Sequence, residues 1–112
     1  MKPTPSEKLR VRVIYWTGVL RVKPSQIRIQ AMTRKWGSCS SSGCVTFSFD
    51  LVKRPIAFQD FVIAHELLHL RIRNHGKLFR STLSAVLRNN VFVSAGTVAR
   101  AAKSKKSRTA HN

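Results

Sequence analysis

The sequence predicts an α+β domain in which helices pack beside a small antiparallel sheet. Three observations carry this. Three stretches space their apolar residues as helices do, two shorter stretches alternate apolar and polar residues, and a Ser/Gly turn lies between the alternating pair. A chain of 112 residues with 43% hydrophobic content suits one domain with a modest core.

The elements follow in order. Met1 to Pro5 read as a loose lead, with Ser6 as a helix cap and Glu7 in the first turn. Leu9, Val13, Trp16 and Leu20 then recur at helical spacing, and the helix ends before Lys23-Pro24. Ile27 to Met32 alternates, as does Val45 to Phe49. The turn-rich Cys39-Ser40-Ser41-Ser42-Gly43-Cys44 between them predicts a β-hairpin, with Val45, Phe47 and Phe49 on one face. Pro55 opens a second helix, buried through Phe58, Phe61, Val62 and Leu68, which stops near Arg73 because Asn74 and Gly76 tolerate left-handed geometry. Leu78, Phe79, Leu83, Val86 and Leu87 mark a third helix. The domain spans residues 1–95. Residues 96–112 form a basic tail, Lys103 to Arg108 at its centre, whose composition predicts disorder.

Composition narrows the function. No stretch reaches the roughly 20 apolar residues of a bilayer span, so no membrane partner is expected. The first residues lack the apolar run of a signal peptide, so a cytoplasmic location is expected. Two cysteines are too few for a disulfide scaffold. The charge is lopsided: 21 Lys and Arg stand against four acids, Glu7, Asp50, Asp60 and Glu66, for a net +17. Such a surface attracts polyanions, which makes nucleic acid a candidate partner.

The chemistry concentrates in His65-Glu66-Leu67-Leu68-His69. Residues four apart share a helix face, so His65 and His69 can hold one metal ion with Glu66 beside them. This HExxH spacing is that of zinc-dependent peptide hydrolysis, in which zinc and a glutamate activate water. Glu66 is the candidate catalytic base, and its position in the most apolar segment argues that it is not idle. A catalytic zinc takes three protein ligands, and His75 is the candidate third. On a continuous helix His75 would stand about 15 Å from His65 at 1.5 Å per residue. The chain must therefore reverse between Leu70 and His75. One zinc per chain is expected. Asp60 and Asp50 are candidates to orient a ligating imidazole, although Asp60 also reads as a charge favouring the helix N-terminus.

A rival set joins Cys39 and Cys44 to His65 and His69 as a structural zinc site in a nucleic-acid-binding module. Its middle gap is 20 residues, against about 12 in a zinc finger. A catalytically silent basic protein is a third reading.

Taken together, Arg34-Lys35-Trp36-Gly37-Ser38-Cys39-Ser40, Gly43, Pro55, His65 to Leu70, Asn74-His75 and Phe79 resemble the YgjP-like metallopeptidase family, itself related to SprT-like and Wss1-like peptidases. The resemblance covers residues 13–87. It implies a compact zincin-like α+β core with a small sheet beside the active helix. It also implies His65, His69 and His75 as zinc ligands, Glu66 as base, and protein or peptide substrates, in some relatives proteins attached to DNA. The spacing from His69 to His75 also matches the metzincin motif, but Ile72 stands where that motif needs glycine. Lys35 precedes the Trp where the family usually has Arg, and Gly76 and Arg80 stand where it has Ser and Trp. An edge strand near Trp36 to Ser40, or Val45 to Phe49, would hold extended substrate. Trp36 reads as core or as cleft lining. Arg34 is a candidate substrate contact and, with Tyr15, a candidate oxyanion stabiliser.

Overall fold

The computed structural model describes residues 2–90, so the basic tail expected from residue 96 onward lies outside the described residues. Helix α1 (Pro5–Leu20) begins on a reciprocal cap. The Glu7 amide donates to the Thr4 hydroxyl and the Thr4 amide to the Glu7 carboxylate. The cap is therefore Thr4, two residues before the expected Ser6, because only Thr4 stands three residues ahead of a glutamate. Leu9, Val13, Trp16 and Leu20 are buried, as their spacing requires. Arg21 closes the helix in the left-handed region, φ 55°.

Three strands follow: β1 (Gln26–Gln30), β2 (Gly37–Cys39) and β3 (Cys44–Ser48). The Ser/Gly turn makes a hairpin, but between β2 and β3, with Cys39 opposite Val45. Gly43 takes φ 93° there, and its carbonyl accepts from the Ser25 amide at 2.9 Å. The first alternating run does not pair across the turn. It lies parallel to β3, Ile27 beside Val45 and Ile29 beside Phe47. A turn that short can only join the segments that flank it, whereas residues 31–36 cross the end of β3 and β2 carries the chain back, which leaves β1 parallel to β3. The sheet is thus mixed, in the order β1-β3-β2, with β2 at one edge. Phe49 falls outside β3. It begins a 3₁₀ turn, Phe49–Lys53, and is 46% exposed, so it does not share the face of Val45 and Phe47.

Helix α2 (Ile56–Leu68) is apolar on nearly every side because it packs against α1, α3 (Lys77–Asn90) and β2 together. Its start is pinned by Gln59, whose amide donates to the Arg54 carbonyl at 2.9 Å. It ends several residues before Arg73: His69 is the cap, and tight turns run through Ile72. Arg71 reaches from this turn to the Leu20 carbonyl at the end of α1, 3.2 Å away. In α3 the inward residues are Phe79, Leu83 and Leu87, while Leu78 is 66% exposed. Each buried side chain of this size contributes about 1.5–3 kcal/mol.

Candidate metal centre and active site

One helix and the turn after it build the histidine cluster. His65 and His69 stand one turn apart at the C-terminal end of α2, and the early helix stop lets the chain double back to present His75. His75 Nε2 lies 2.9 Å from His69 Nε2 and 3.2 Å from His65 Nε2. The three ligand atoms fall within 4.8 Å of one another, the one group of this kind among the described residues. Two imidazole nitrogens sharing a tetrahedral zinc at about 2.0–2.1 Å stand roughly 3.3 Å apart. The observed spacing is close to that. The tautomer fits as well: His69 Nδ1 lies 3.1 Å from the Ile72 carbonyl, which requires its proton there and leaves the Nε2 lone pair facing the cluster. Burial holds the His69 pKa below its ordinary value, so the neutral, ligating form dominates. Three neutral nitrogens are a donor set that suits zinc.

Phe79 of α3 forms the floor. It is 1% exposed, and its ring lies 4.6 Å from that of His69, 5.0 Å from that of His75 and 5.1 Å from that of His65. The imidazoles therefore have few alternative rotamers, and the α2–α3 packing sets the site's geometry.

Glu66 is 2% exposed and faces the edge strand. A Cβ placed on Gly37 would come within 2.9 Å of Glu66 Cγ, so the glycine of β2 is the seat of this side chain. Burial pushes the Glu66 pKa up from 4.5 to about 8, with Lys35 pulling the other way.

The sequence-predicted residues separate into those that meet and those that do not. His65, His69 and His75 meet, and Glu66 extends from the same turn of α2 toward Gly37 of β2. Asp60 does not serve an imidazole: its two oxygens accept from Arg12 Nε and Nη2 at 2.9 and 2.7 Å, and one also accepts from Trp16 Nε1 at 2.9 Å. It joins α2 to α1 as an ion pair 1% exposed on the aspartate side. Asp50 lies in the 3₁₀ turn, its amide held by Ser48. Trp36 packs inward, edge to face on Phe58 at 5.1 Å, with the Arg54 guanidinium over both rings. Arg34 is exposed on the loop before β2, and Tyr15 is half exposed on α1. Cys39 and Cys44 are free thiols, and neither joins the metal-ligating group among the described residues. The two-Cys, two-His site is therefore not assembled.

Sequence reasoning missed three participants. Gly37 is one, although it stood inside the Trp-Gly-Ser-Cys segment. Lys35 is another, the cation that acts on Glu66. Arg73 is the third: its Nη1 donates to the His69 carbonyl at 3.1 Å and to Cys39 Sγ at 3.7 Å, tying the histidine turn to β2. Nothing in linear spacing marks such contacts.

Known proteins share this architecture. The chain is similar to the metallopeptidase zymogen jannalysin of Methanocaldococcus jannaschii, with 23% identity, a TM-score of 0.67, and coverage of 83% of this chain and 91% of that one. It is similar also to the metallopeptidase zymogen abylysin of Pyrococcus abyssi, with 16% identity, a TM-score of 0.70, and coverage of 89% and 96%. At these identities the likeness is one of fold. No curated protein matches the sequence. The profile of the YgjP-like metallopeptidase domain matches residues 2–90, the whole of the described fold. The chain thus belongs to the YgjP-like family and is a metallopeptidase.

Proposed function

We propose that the protein is a zinc-dependent endopeptidase holding one zinc on His65, His69 and His75, with Glu66 as general base, acting on proteins associated with nucleic acid. The convergence of three Nε2 atoms, on the helix that also carries the buried Glu66 and the turn after it, supports this reading. When bound, zinc supplies Lewis acidity and makes water a better nucleophile near neutral pH. The other tasks fall to the chain. Glu66 takes a proton from the attacking water and returns it to the leaving amine. Its dry seat against Gly37 holds the carboxyl in one position, and a dication beside it would favour the carboxylate it must be to accept a proton. β2, an edge strand packed against α2, is suited to pair with an extended peptide. Trp36, the residue before β2, would border that peptide, and the exposed Arg34 would meet it further out. The net charge of +17 supports the choice of substrate, since it would concentrate the enzyme on polyanions and on the proteins they carry.

The test pairs metal analysis with cleavage of casein and of DNA-bound histones. Wild type should carry one zinc and cut. Glu66→Gln should keep the zinc and lose cleavage, and His65→Ala, His69→Ala and His75→Ala should lose the metal. Full zinc content in the His65→Ala/His69→Ala double variant refutes the site. Nucleic-acid affinity should fall steeply between about 50 and 200 mM salt, and a flat dependence removes that part of the reading.

A further inference from the structure

We propose that Arg73 selects substrates that carry an acidic side chain next to the scissile bond. The inference rests on the peptidase reading above and names a substrate class for the same site. Arg73 is exposed, yet its position is set at two points. Nη1 donates both to the carbonyl of His69 and to the thiol of Cys39 on the edge strand. The guanidinium is thereby held where the edge strand β2 meets the histidine turn, on the path a peptide paired with β2 would take to the cluster.

Two further observations define what this cation is for. Among the described residues both of its contacts use one nitrogen, which leaves Nε and Nη2 to offer a partner the fork that matches a carboxylate. Among the described residues its charge also pairs with no carboxylate. The His69 carbonyl is neutral, and burial raises the Cys39 pKa, which keeps that group a thiol. Three of the four carboxylates are placed elsewhere: Asp60 by Arg12 and Trp16, Glu7 in the cap of α1, and Glu66 in its seat against Gly37. Other arginines have structural work, Arg12 on Asp60, Arg54 over Trp36 and Phe58, and Arg71 on the Leu20 carbonyl. Among the described residues Arg73 is the arginine tied to both the edge strand and a histidine of the cluster. Lys35, acting on Glu66 from the loop before β2, adds a second positive charge near that strand. A peptide with an Asp or Glu beside the cut finds a complementary site, and one with Lys or Arg is repelled.

The experiment uses zinc-loaded protein and a set of neutral decapeptides in which each position is replaced in turn by Asp, Asn or Lys. Within each variant the readout is the ratio of kcat/KM for the Asp and Asn peptides, so a general loss of activity cancels. Wild type should prefer Asp at one position by about five-fold, the scale of an exposed ion pair. Arg73→Lys should retain part of the preference, Arg73→Gln should bring the ratio to one, and Arg73→Glu should turn the preference toward Lys. The same peptides are titrated against Glu66→Gln and Glu66→Gln/Arg73→Glu by fluorescence anisotropy, which reads the contact without turnover. Cleavage without an acid preference, or a preference unmoved in Arg73→Glu, overturns the proposal and leaves the peptidase reading intact. Binding that depends on Arg73 in a protein that cuts none of the peptides sinks the peptidase reading and leaves the Arg73 contact standing.

Discussion

Gly37 of the edge strand and Glu66 of α2 are packed so closely that a single added carbon cannot fit: a Cβ at position 37 would lie 2.9 Å from Glu66 Cγ and 3.1 Å from the Thr46 carbonyl. The backbone oxygen cannot yield without breaking the sheet, so the glutamate must. Gly37→Ala should therefore displace Glu66 while the histidines stay in place. A misplacement near 1 Å costs on the order of 100-fold in rate. Zinc content should match wild type and kcat/KM should fall by about that factor. Full activity in Gly37→Ala would show that Glu66 has another seat.

Asp60 should prove structural. It is 1% exposed and accepts three hydrogen bonds that hold α1 to α2. Asp60→Ala leaves the Arg12 charge and the buried Trp16 N–H without their acceptor, a loss of about 3–5 kcal/mol. Urea denaturation should show it as a lower midpoint. The zinc affinity of the protein that remains folded should be unchanged, and a specific loss of zinc at full stability would restore Asp60 to the metal site.

Replacing both Cys39 and Cys44 by Ser should leave zinc content at one per chain, because the converging ligands are three imidazole nitrogens. Atomic absorption on the double variant settles this, and metal loss there would favour a structural zinc.

In the metal-free protein, stability should depend on pH through Glu66 and His69. The Glu66 pKa is about 8 when folded against an ordinary 4.5, so between these values the folded state holds a proton that the unfolded state has released. Stability from this group is full below about 4.5 and declines as pH rises through 8, by on the order of a few kcal/mol. His69 acts from the other side. Its folded pKa is lowered from 6.5, so it destabilises as pH falls below that value and the unfolded state takes up the proton. Below pH 6.5 the two groups oppose each other, so urea midpoints in EDTA should fall chiefly from pH 6.5 to pH 8, and Glu66→Gln should flatten that decline. An unchanged slope in the variant would mean that Glu66 does not titrate in this range.

The histidine pair was legible because it sits on a repeat that helix geometry turns directly into a shared face: His69 lies four positions after His65. His75 was legible only conditionally, since it needed a reversal that Asn74 and Gly76 permit without specifying. The stop itself came earlier, at Leu68, because the contacts that end α2 are made by the turn with α1 and β2. Strand pairing was harder to read. Alternation marks a strand and one buried face but carries no information about its partner, so β1 and β3 looked like two arms of a hairpin when the true arm was the three-residue β2.

The sequence by itself determined the helical faces, the turn at Gly43 and the chemical identity of the donors, because these depend on residues within a few positions of each other. Only the tertiary structure decided that β1 runs parallel to β3, that Asp60 belongs to Arg12 and Trp16, and that Gly37, Phe79 and Arg73 surround the histidines and glutamate. Those contacts join segments distant in the chain and arise from the joint packing of α1, α3 and β2 around one apolar helix. No local periodicity encodes which of several compatible surfaces will meet.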